Sequence, residues 1–222
     1  MKRCFLMITG LGLAASASHA DITNFRSWLT ANPSTPNSTS NEWFGTRGVN
    51  GALMTSDGTM WNSPGFPNST PVIGLRTTVG SDNGAAGPAT FDGAWAHPGP
   101  GIDAVLTFAP TSPIMIGRVE VHAELIANGL SGNGATITVW TSTGGNTTSV
   151  GTTILTGTSD RLDLFDFPTT QFQPGDKVFV AIGDNGSYLF DHVNFDVTIT
   201  VPTPGAATLM SLAGLVATRR RR

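Results

Sequence analysis

Residues 118–125 read Arg-Val-Glu-Val-His-Ala-Glu-Leu, and this stretch decides the fold class. Val119, Val121, Ala123 and Leu125 fall on one side of an extended chain, because side chains alternate between the two faces of a strand. The other side carries Arg118, Glu120, His122 and Glu124. The alternation predicts a strand with one face in a core and the other in water.

The same period of two recurs in 135–141, in 177–183 and in 189–199, where Leu189 shares the inward parity of Val193. Asp184-Asn185-Gly186 supplies a turn between the last two segments, since these residue types tolerate positive φ. No stretch between residues 21 and 200 has a sustained helical period. We therefore predict an all-β fold, an antiparallel β-sandwich of the jelly-roll type with about six to nine short strands.

Composition agrees with one globular, turn-rich domain. The chain has 222 residues, of which 39% are hydrophobic and 12% charged, with 27 Gly and 14 Pro. Residues 21–68 are especially rich in turn-forming types and are expected to be mostly loops. Residues 21–200 hold six basic and fifteen acidic side chains, a net charge of −9. A segment with this negative charge repels nucleic acid and anionic lipid. A cation or a neutral polymer is therefore the better candidate for a partner.

The N-terminus has the pattern of a secretory signal peptide. Lys2 and Arg3 precede an apolar run over 4–13, and small residues at Ser18 and Ala20 mark a cleavage site before Asp21. We predict a helical signal peptide over residues 1–20. The single cysteine lies within it, so the mature chain has no disulfide, no thiolate metal site and no cysteine nucleophile.

The C-terminus has three parts: Val201-Pro202-Thr203-Pro204-Gly205, an apolar run over 206–218, and Arg219-Arg220-Arg221-Arg222. Physically these are an extended helix breaker, a short apolar helix and a positive stop. Thirteen apolar residues make a helix of about 20 Å, short of the roughly 30 Å of a bilayer core, which suits transient membrane insertion.

This tail, residues 201–222, resembles the PEP-CTERM sorting signal of exported bacterial proteins. Thr203 stands where that family most often has Glu. The resemblance implies an exosortase-like protease as processing partner, export, and a final location in the cell envelope, at the cell surface or outside the cell after the tail is removed.

The body, residues 21–200, resembles the jelly-roll domain that precedes many such tails in planctomycete-type sequences. The resemblance is carried by Trp-Phe-Gly at 43–45, Trp-Ala-His-Pro-Gly-Pro at 95–100, and the segments 104–110, 175–183 and 188–191. That domain is similar in shape to galactose-binding-like and carbohydrate-binding modules. The resemblance implies a fold more than a ligand.

No catalytic motif stands out. His97, His122 and His192 remain in the mature chain, and none lies in a nucleophile frame such as Gly-x-Ser-x-Gly, so we predict no enzyme. Glu120, His122 and Glu124 share a strand face and form a candidate metal site, but spacings of about 6.5 to 7 Å favour a solvated face.

Asp191 has the inward parity of Val193, and an unpaired buried carboxylate is costly. One account pairs it with backbone N–H groups of the turn over 183–187. The other is a structural calcium ion held by Asp191 with Asp184, Asn185 or main-chain carbonyls.

Tryptophan side chains are the candidates for a sugar platform. Trp140 has the parity of the polar strand face and should be partly exposed. Trp43, Trp61 and Trp95 lie among Gly, Asn and Pro, where loops can display them, although they can also cap the core.

Together these features predict an exported, non-catalytic protein of the cell envelope or extracellular matrix, associated with exopolysaccharide or biofilm. The alternative is a specific carbohydrate-binding module that uses the exposed tryptophans. More remote alternatives are a glycan-active enzyme and an ice-binding protein, the latter suggested by Thr136-x-Thr138.

Overall fold

A computed structural model describes residues 19–33, 35–65, 70–75, 89–126, 133–156, 161–187, 189 and 191–202. The chain divides into two compact units, and Asp21–Val201 is the unit considered below. The other comprises Met1–Ala20 and Pro202–Arg222, which lie almost entirely outside the described residues, as do the predicted helices of the signal peptide and of 206–218. Within the described residues, no helix has the length and apolar character needed to cross a membrane.

Two sheets make up the unit. Sheet A runs in the order β11 (Arg161–Phe172), β8 (Ile114–Leu125), β13 (Val193–Pro202), β6 (Ala94–His97), β5 (Val72–Gly74), β4 (Met60–Asn62) and β3 (Thr55–Ser56), and β1 (His19–Asn24) also pairs with β13. Sheet B runs in the order β10 (Asn146–Leu155), β9 (Ala135–Thr143), β12 (Lys177–Gly183), β7 (Ala104–Phe108) and β2 (Trp43–Arg47). The predicted loop-rich start holds strands of only two to five residues after β1.

The connections alternate between the sheets. From β6 to β13 each strand lies in the opposite sheet from its predecessor, except in the β9–β10 hairpin. The strand pairs of known register are antiparallel. The predicted all-β antiparallel sandwich is therefore confirmed, and its crossing pattern is jelly-roll-like. The predicted number of six to nine strands is too low, because the described residues form thirteen, several of them only two to four residues long.

The facing sides of the sheets form one core. On β8, Val119, Val121 and Ala123 are fully buried, as the alternation predicts. Phe195 on β13 and Ile137 on β9 belong to the same cluster. All described members of the hydrophobic clusters lie between residues 25 and 199, so the segment 21–201 carries its own core.

Two parity predictions are wrong. Glu124 was expected on the wet face of β8, but it is 1% exposed because residues 89–93 cross over it. Leu189 was expected to point into the core, but it is 52% exposed because β13 begins only at Val193, after the turn has ended.

A short helix, α1 (Phe25–Ala31), was not predicted. Asn24 caps it by accepting from the Ser27 backbone N–H at 2.9 Å, and Phe25 and Leu29 face the core four residues apart. The side-chain amide of Asn24 also donates to Asp196 on β13 at 2.7 Å. The start of the described chain is thus fixed to the middle of sheet A.

Candidate functional site

Two of the four candidate platform tryptophans lie in the core, so their predicted display on loops is wrong. Trp43 is 1% exposed and Trp61 fully buried, with ring centroids 5.4 and 6.0 Å from that of Phe25. Each tryptophan lies on a short strand and points into the core. The turn-forming residues on either side make the strand hard to recognise in the sequence. Neither ring is available to a ligand.

Trp95 lies on the outer face of sheet A and is partly exposed. Its neighbours Ala94 and Ala96 face the core, while its own ring packs against the separate pair Ala89 and Ile126. The cross-strand partner of Trp95 is Gly74, where an added Cβ would lie 1.7 Å from the indole Nε1. The indole therefore lies directly on bare backbone, which fixes its position.

A cavity of about 510 Å³ opens beside Trp95. It is lined by Leu29, Pro33, Gly58, Thr59, Met60, Leu75 and Trp95. We call this the Trp95 pocket. Its lining combines apolar and aromatic surface with a few polar groups, which is the usual make-up of a small-ligand site.

One wall of the Trp95 pocket is a tight turn that Asp57 organises. The carboxylate accepts from the backbone N–H groups of Thr59 and Met60 and from the Thr59 hydroxyl, each at 2.9 Å. The hydrogen bond from the Thr59 backbone is the main cause that lowers the pKa of Asp57. Gly58 adopts a φ of 93°, which suits glycine. This wall is consequently preorganised.

Trp140 is partly exposed, as predicted, on the outer face of sheet B. Trp95 and Trp140 thus lie on opposite outer faces of the sandwich. The structure does not bring the four tryptophans into a single platform.

Asp191 is fully buried, as its parity predicts, and neither carboxylate oxygen has a hydrogen-bond partner among the described residues. The account that pairs it with the turn is wrong, because the turn is bonded to Asp184 instead. Gly186 N donates to the Asp184 carboxylate at 3.0 Å, and Ser187 N donates to the Asp184 carbonyl at 2.9 Å. Burial, and after it the charge of Asp184, raise the pKa of Asp191 to about 7.

The other members of the predicted calcium site are only partly available. Asp184 also accepts from Gly101 N at 3.0 Å, and the Asn185 side chain donates to the Asn133 carbonyl at 2.8 Å. Asp103 is a third carboxylate, missed at the sequence level, whose pKa is raised by burial and then by Asp184. No set of three or more His, Cys, Asp or Glu side chains in the described segments is arranged to hold a metal ion.

The Glu120, His122 and Glu124 face is not arranged to bind a metal ion in the part of the chain that the structure describes. Glu120 pairs with Arg118 at 3.7 Å, and His122 stacks on Phe91 with ring centroids 3.8 Å apart. Glu124 accepts from Thr90 N at 2.7 Å, from the Thr90 hydroxyl at 2.5 Å and from the Asn194 side chain at 2.7 Å. Residues 89–93 therefore form a strap across sheet A, held down by a buried carboxylate.

The histidines next to Trp95 are packed together. The rings of His97 and His192 meet edge to face, 4.3 Å apart, and His192 lies 5.8 Å from Trp95. Burial, and then the neighbouring His97, lower the pKa of His192 to about 4, while burial lowers the pKa of His97. The His192 ring is therefore neutral at pH 7 and packs beside the indole.

No family model and no curated protein matches the chain. Weak similarities to solved structures include a Ruminococcus gnavus GH29 fucosidase in complex with fucose, at 16% identity and TM-score 0.34, covering 50% of this chain and 20% of that one. The CBM32 of AlyQ in complex with 4,5-unsaturated mannuronic acid matches at 19% and 0.30, covering 48% of this chain and 74% of that one. A GH31 CBM32-2 bound to GalNAc matches at 9% and 0.29, covering 80% and 95%.

Several of these structures are carbohydrate-binding modules. The chain matches only about a fifth of the fucosidase, which is the longer protein. Similarities this low identify no ligand for this chain, so its site is assigned from its own residues alone.

Proposed function

We propose that the sandwich is a non-catalytic carbohydrate-binding module and that the Trp95 pocket holds the sugar. The observation that carries this is a partly exposed indole, fixed on Gly74, beside a cavity of about 510 Å³. An aromatic ring offers a flat apolar surface to the C–H face of a sugar, and the Thr59 hydroxyl offers a polar contact at the rim.

The lining of the pocket favours binding over catalysis. None of its seven residues is His, Cys, Asp or Glu, so the described wall supplies no acid–base pair. The net charge of −9 over residues 21–200 favours a neutral glycan over an anionic one.

In the wider proposal the chain is exported and sorted by its two ends. The signal peptide over 1–20 and the tail over 201–222 support this by their sequence patterns. An exosortase-like protease removes the tail after transient membrane insertion, which leaves the sandwich in the envelope, at the surface or outside the cell. There its sugar site associates it with exopolysaccharide or biofilm.

The buried carboxylate supports a structural calcium ion as part of this proposal. Asp191 has two orphaned oxygens in the interior, and Asp184 is near enough to raise its pKa. Carboxylate and carbonyl oxygens are the donors that Ca²⁺ prefers, so Asp191 and Asp184 would hold it with Asn185 or main-chain carbonyls. Such an ion would supply positive charge beside the two carboxylates.

The test of sugar binding is a glycan array probed with the recombinant segment 21–201, followed by calorimetry on the strongest ligand. Loss of an anchoring tryptophan at the centre of a site weakens binding by about 30-fold or more, so Trp95→Ala should bind at least that much more weakly. Leu164→Ala removes an exposed apolar side chain on β11, away from the pocket, and serves as the control. A ligand held equally well by Trp95→Ala would show that the pocket is not the site.

The test of sorting is an intact-mass measurement on protein from the native envelope. We expect a chain that begins at Asp21 and ends near Val201. Recovery of a chain that still carries Arg222 would contradict the proposed tail processing.

A further inference from the structure

The hairpin of β9 and β10 contains no charged residue. From Ala135 to Leu155 the sequence is Ala-Thr-Ile-Thr-Val-Trp-Thr-Ser-Thr-Gly-Gly-Asn-Thr-Thr-Ser-Val-Gly-Thr-Thr-Ile-Leu. On the inward side of the hairpin, Ile137 and Val139 pack into the core. What remains for the outward side is hydroxyls, one isoleucine and the indole of Trp140.

Register places these hydroxyls around Trp140. Thr138 and Thr152 are cross-strand partners whose hydroxyl oxygens lie 3.0 Å apart, and Ser149 is the partner of Trp140 itself. The outward hydroxyl residues of the hairpin are Thr136, Thr138, Ser142, Thr147, Ser149 and Thr152, of which Ser142 is only 8% exposed. We call this surface the hydroxyl face.

Trp140 is fixed on its inner side and open on its outer side. It packs against a buried cluster of Val105, Phe179 and Ala181, which lies on the side of sheet B away from the core. Val49 also contacts the cluster, and Asn50 donates to the Thr147 hydroxyl at 3.0 Å, so the loop after β2 borders the hydroxyl face. Thr147, Ser149 and Thr152 remain exposed.

The chemistry of the hydroxyl face fits a neutral glycan. Each hydroxyl both donates and accepts hydrogen bonds, as sugar hydroxyls do, and a partly exposed indole supplies the apolar surface. The hairpin itself carries no counter-charge for a charged partner, and Lys177, the β12 partner of Ser142, is a cation that borders the face.

The two indoles face away from each other. Trp95 lies on the outer side of sheet A and Trp140 on the outer side of sheet B, with the shared core between them. Packed sheets lie about 10 Å apart before the outward side chains are added, so one short sugar segment does not reach both.

We propose that the module binds two neutral glycan segments at once, one in the Trp95 pocket and one on the hydroxyl face, and so cross-links polysaccharide chains. This inference rests on the proposed function. Each site alone needs only modest affinity, because linked sites raise the apparent affinity for a polymer.

The test uses galactomannan and arabinoxylan, two soluble neutral polymers, and their short oligosaccharides. The full chain is kept in solution with a sugar-free nonionic detergent, and the segment 21–201, which carries its own core, is run in parallel. Light scattering measures cross-linking, and calorimetry measures binding and stoichiometry.

For the wild type we expect cross-linking and two sites for the oligosaccharide. Trp140→Ala should keep the site that Trp95→Ala removes, lose cross-linking, and bind polymer on the order of 10²-fold more weakly. Since Trp140 packs on buried residues, Thr152→Lys provides a second variant that alters only the exposed face. Leu162→Ala on β11, which is 57% exposed, is the matched control and should cross-link normally.

The outcomes separate the two proposals. If the wild type binds neither polymer, the proposed function fails for these glycans and the cross-linking inference fails with it. If the wild type binds with one site and Trp95→Ala removes it, or if Trp140→Ala and Thr152→Lys cross-link like the wild type, the second site is refuted while the Trp95 pocket stands.

Discussion

Replacing Asp191 with asparagine tests the most unusual group in the core. The side chain is fully buried with both oxygens unpartnered, and its pKa is raised from 3.8 to about 7. A folded-state pKa above the unfolded value means that the native state prefers the protonated acid. Without a cation, the contribution of Asp191 to stability is therefore largest below pH 4, falls as the pH rises from about 4 to 7, and is lost above that.

The size of the effect follows from the shift. About three pKa units correspond to roughly 4 kcal/mol, an upper figure that water penetration and relaxation reduce to about 2 to 4 kcal/mol. Asparagine imitates the neutral acid, so in EDTA at pH 8 Asp191→Asn should raise Tm, on the order of 5 to 15 °C for a domain of this size. At pH 4 the two proteins should melt together.

Bound calcium should reverse the direction of the Tm difference between Asp191→Asn and the wild type. If the ion binds, millimolar CaCl₂ stabilises the wild type and not the variant, so Asp191→Asn melts lower in calcium and higher in EDTA. Scanning calorimetry in both buffers between pH 4 and 8 is the assay. Asp92→Asn, which removes a partly exposed partner of Arg26, is the control and should show little change and no calcium dependence.

One result refutes the reasoning as a whole. A wild-type Tm indifferent to calcium, together with a neutral Asp191→Asn at pH 8, would show that the carboxylate is satisfied by groups not assigned above.

Three further substitutions probe the supports of the site. Gly74→Ala should displace the Trp95 indole and abolish pocket binding, at a cost of about 1 to 3 kcal/mol, measured by fluorescence and calorimetry; unchanged emission would contradict the close contact. Glu124→Gln replaces an acceptor by a group that also donates, so urea melts should show a loss of about 1 to 3 kcal/mol and hydrogen exchange should quicken in residues 89–93. Asn24→Ala removes the cap of α1 and should cost about 1 to 2 kcal/mol in the same melts; no loss would show that the cap is dispensable.

Long alternating strands were predictable because every residue in them repeats the same signal. β8, β9 and β12 lie where period two placed them, with Val121, Val139 and Val180 in the core. Short strands contain too few residues to show a period of two. Trp61 lies in a strand of three residues, and its turn-forming neighbours led to the wrong prediction that it is displayed on a loop.

The site depended on contacts distant in sequence. Glu124 was assigned to water because nothing local shows that Thr90 crosses over it, 34 residues away. The inward direction of Asp191 followed from parity, whereas its lack of partners required knowing where the turn amides go. Trp95 was a candidate from its side-chain type, but the pocket beside it brings together residues 29 to 95 and could not be read from any one segment.

The position of β13 determines how the sandwich carries mechanical load. This strand lies inside sheet A, paired with β8 from Val193 to Thr200 on one side and with β6 and β1 on the other. A force applied to the C-terminal end of β13 acts along the strand. It therefore loads the hydrogen bonds to both neighbouring strands in shear, so that they must break together. In an edge strand that is peeled away, such bonds break one after another. Anything attached after Val201 would therefore pull on the sandwich through a strand whose hydrogen bonds are loaded in shear on both sides.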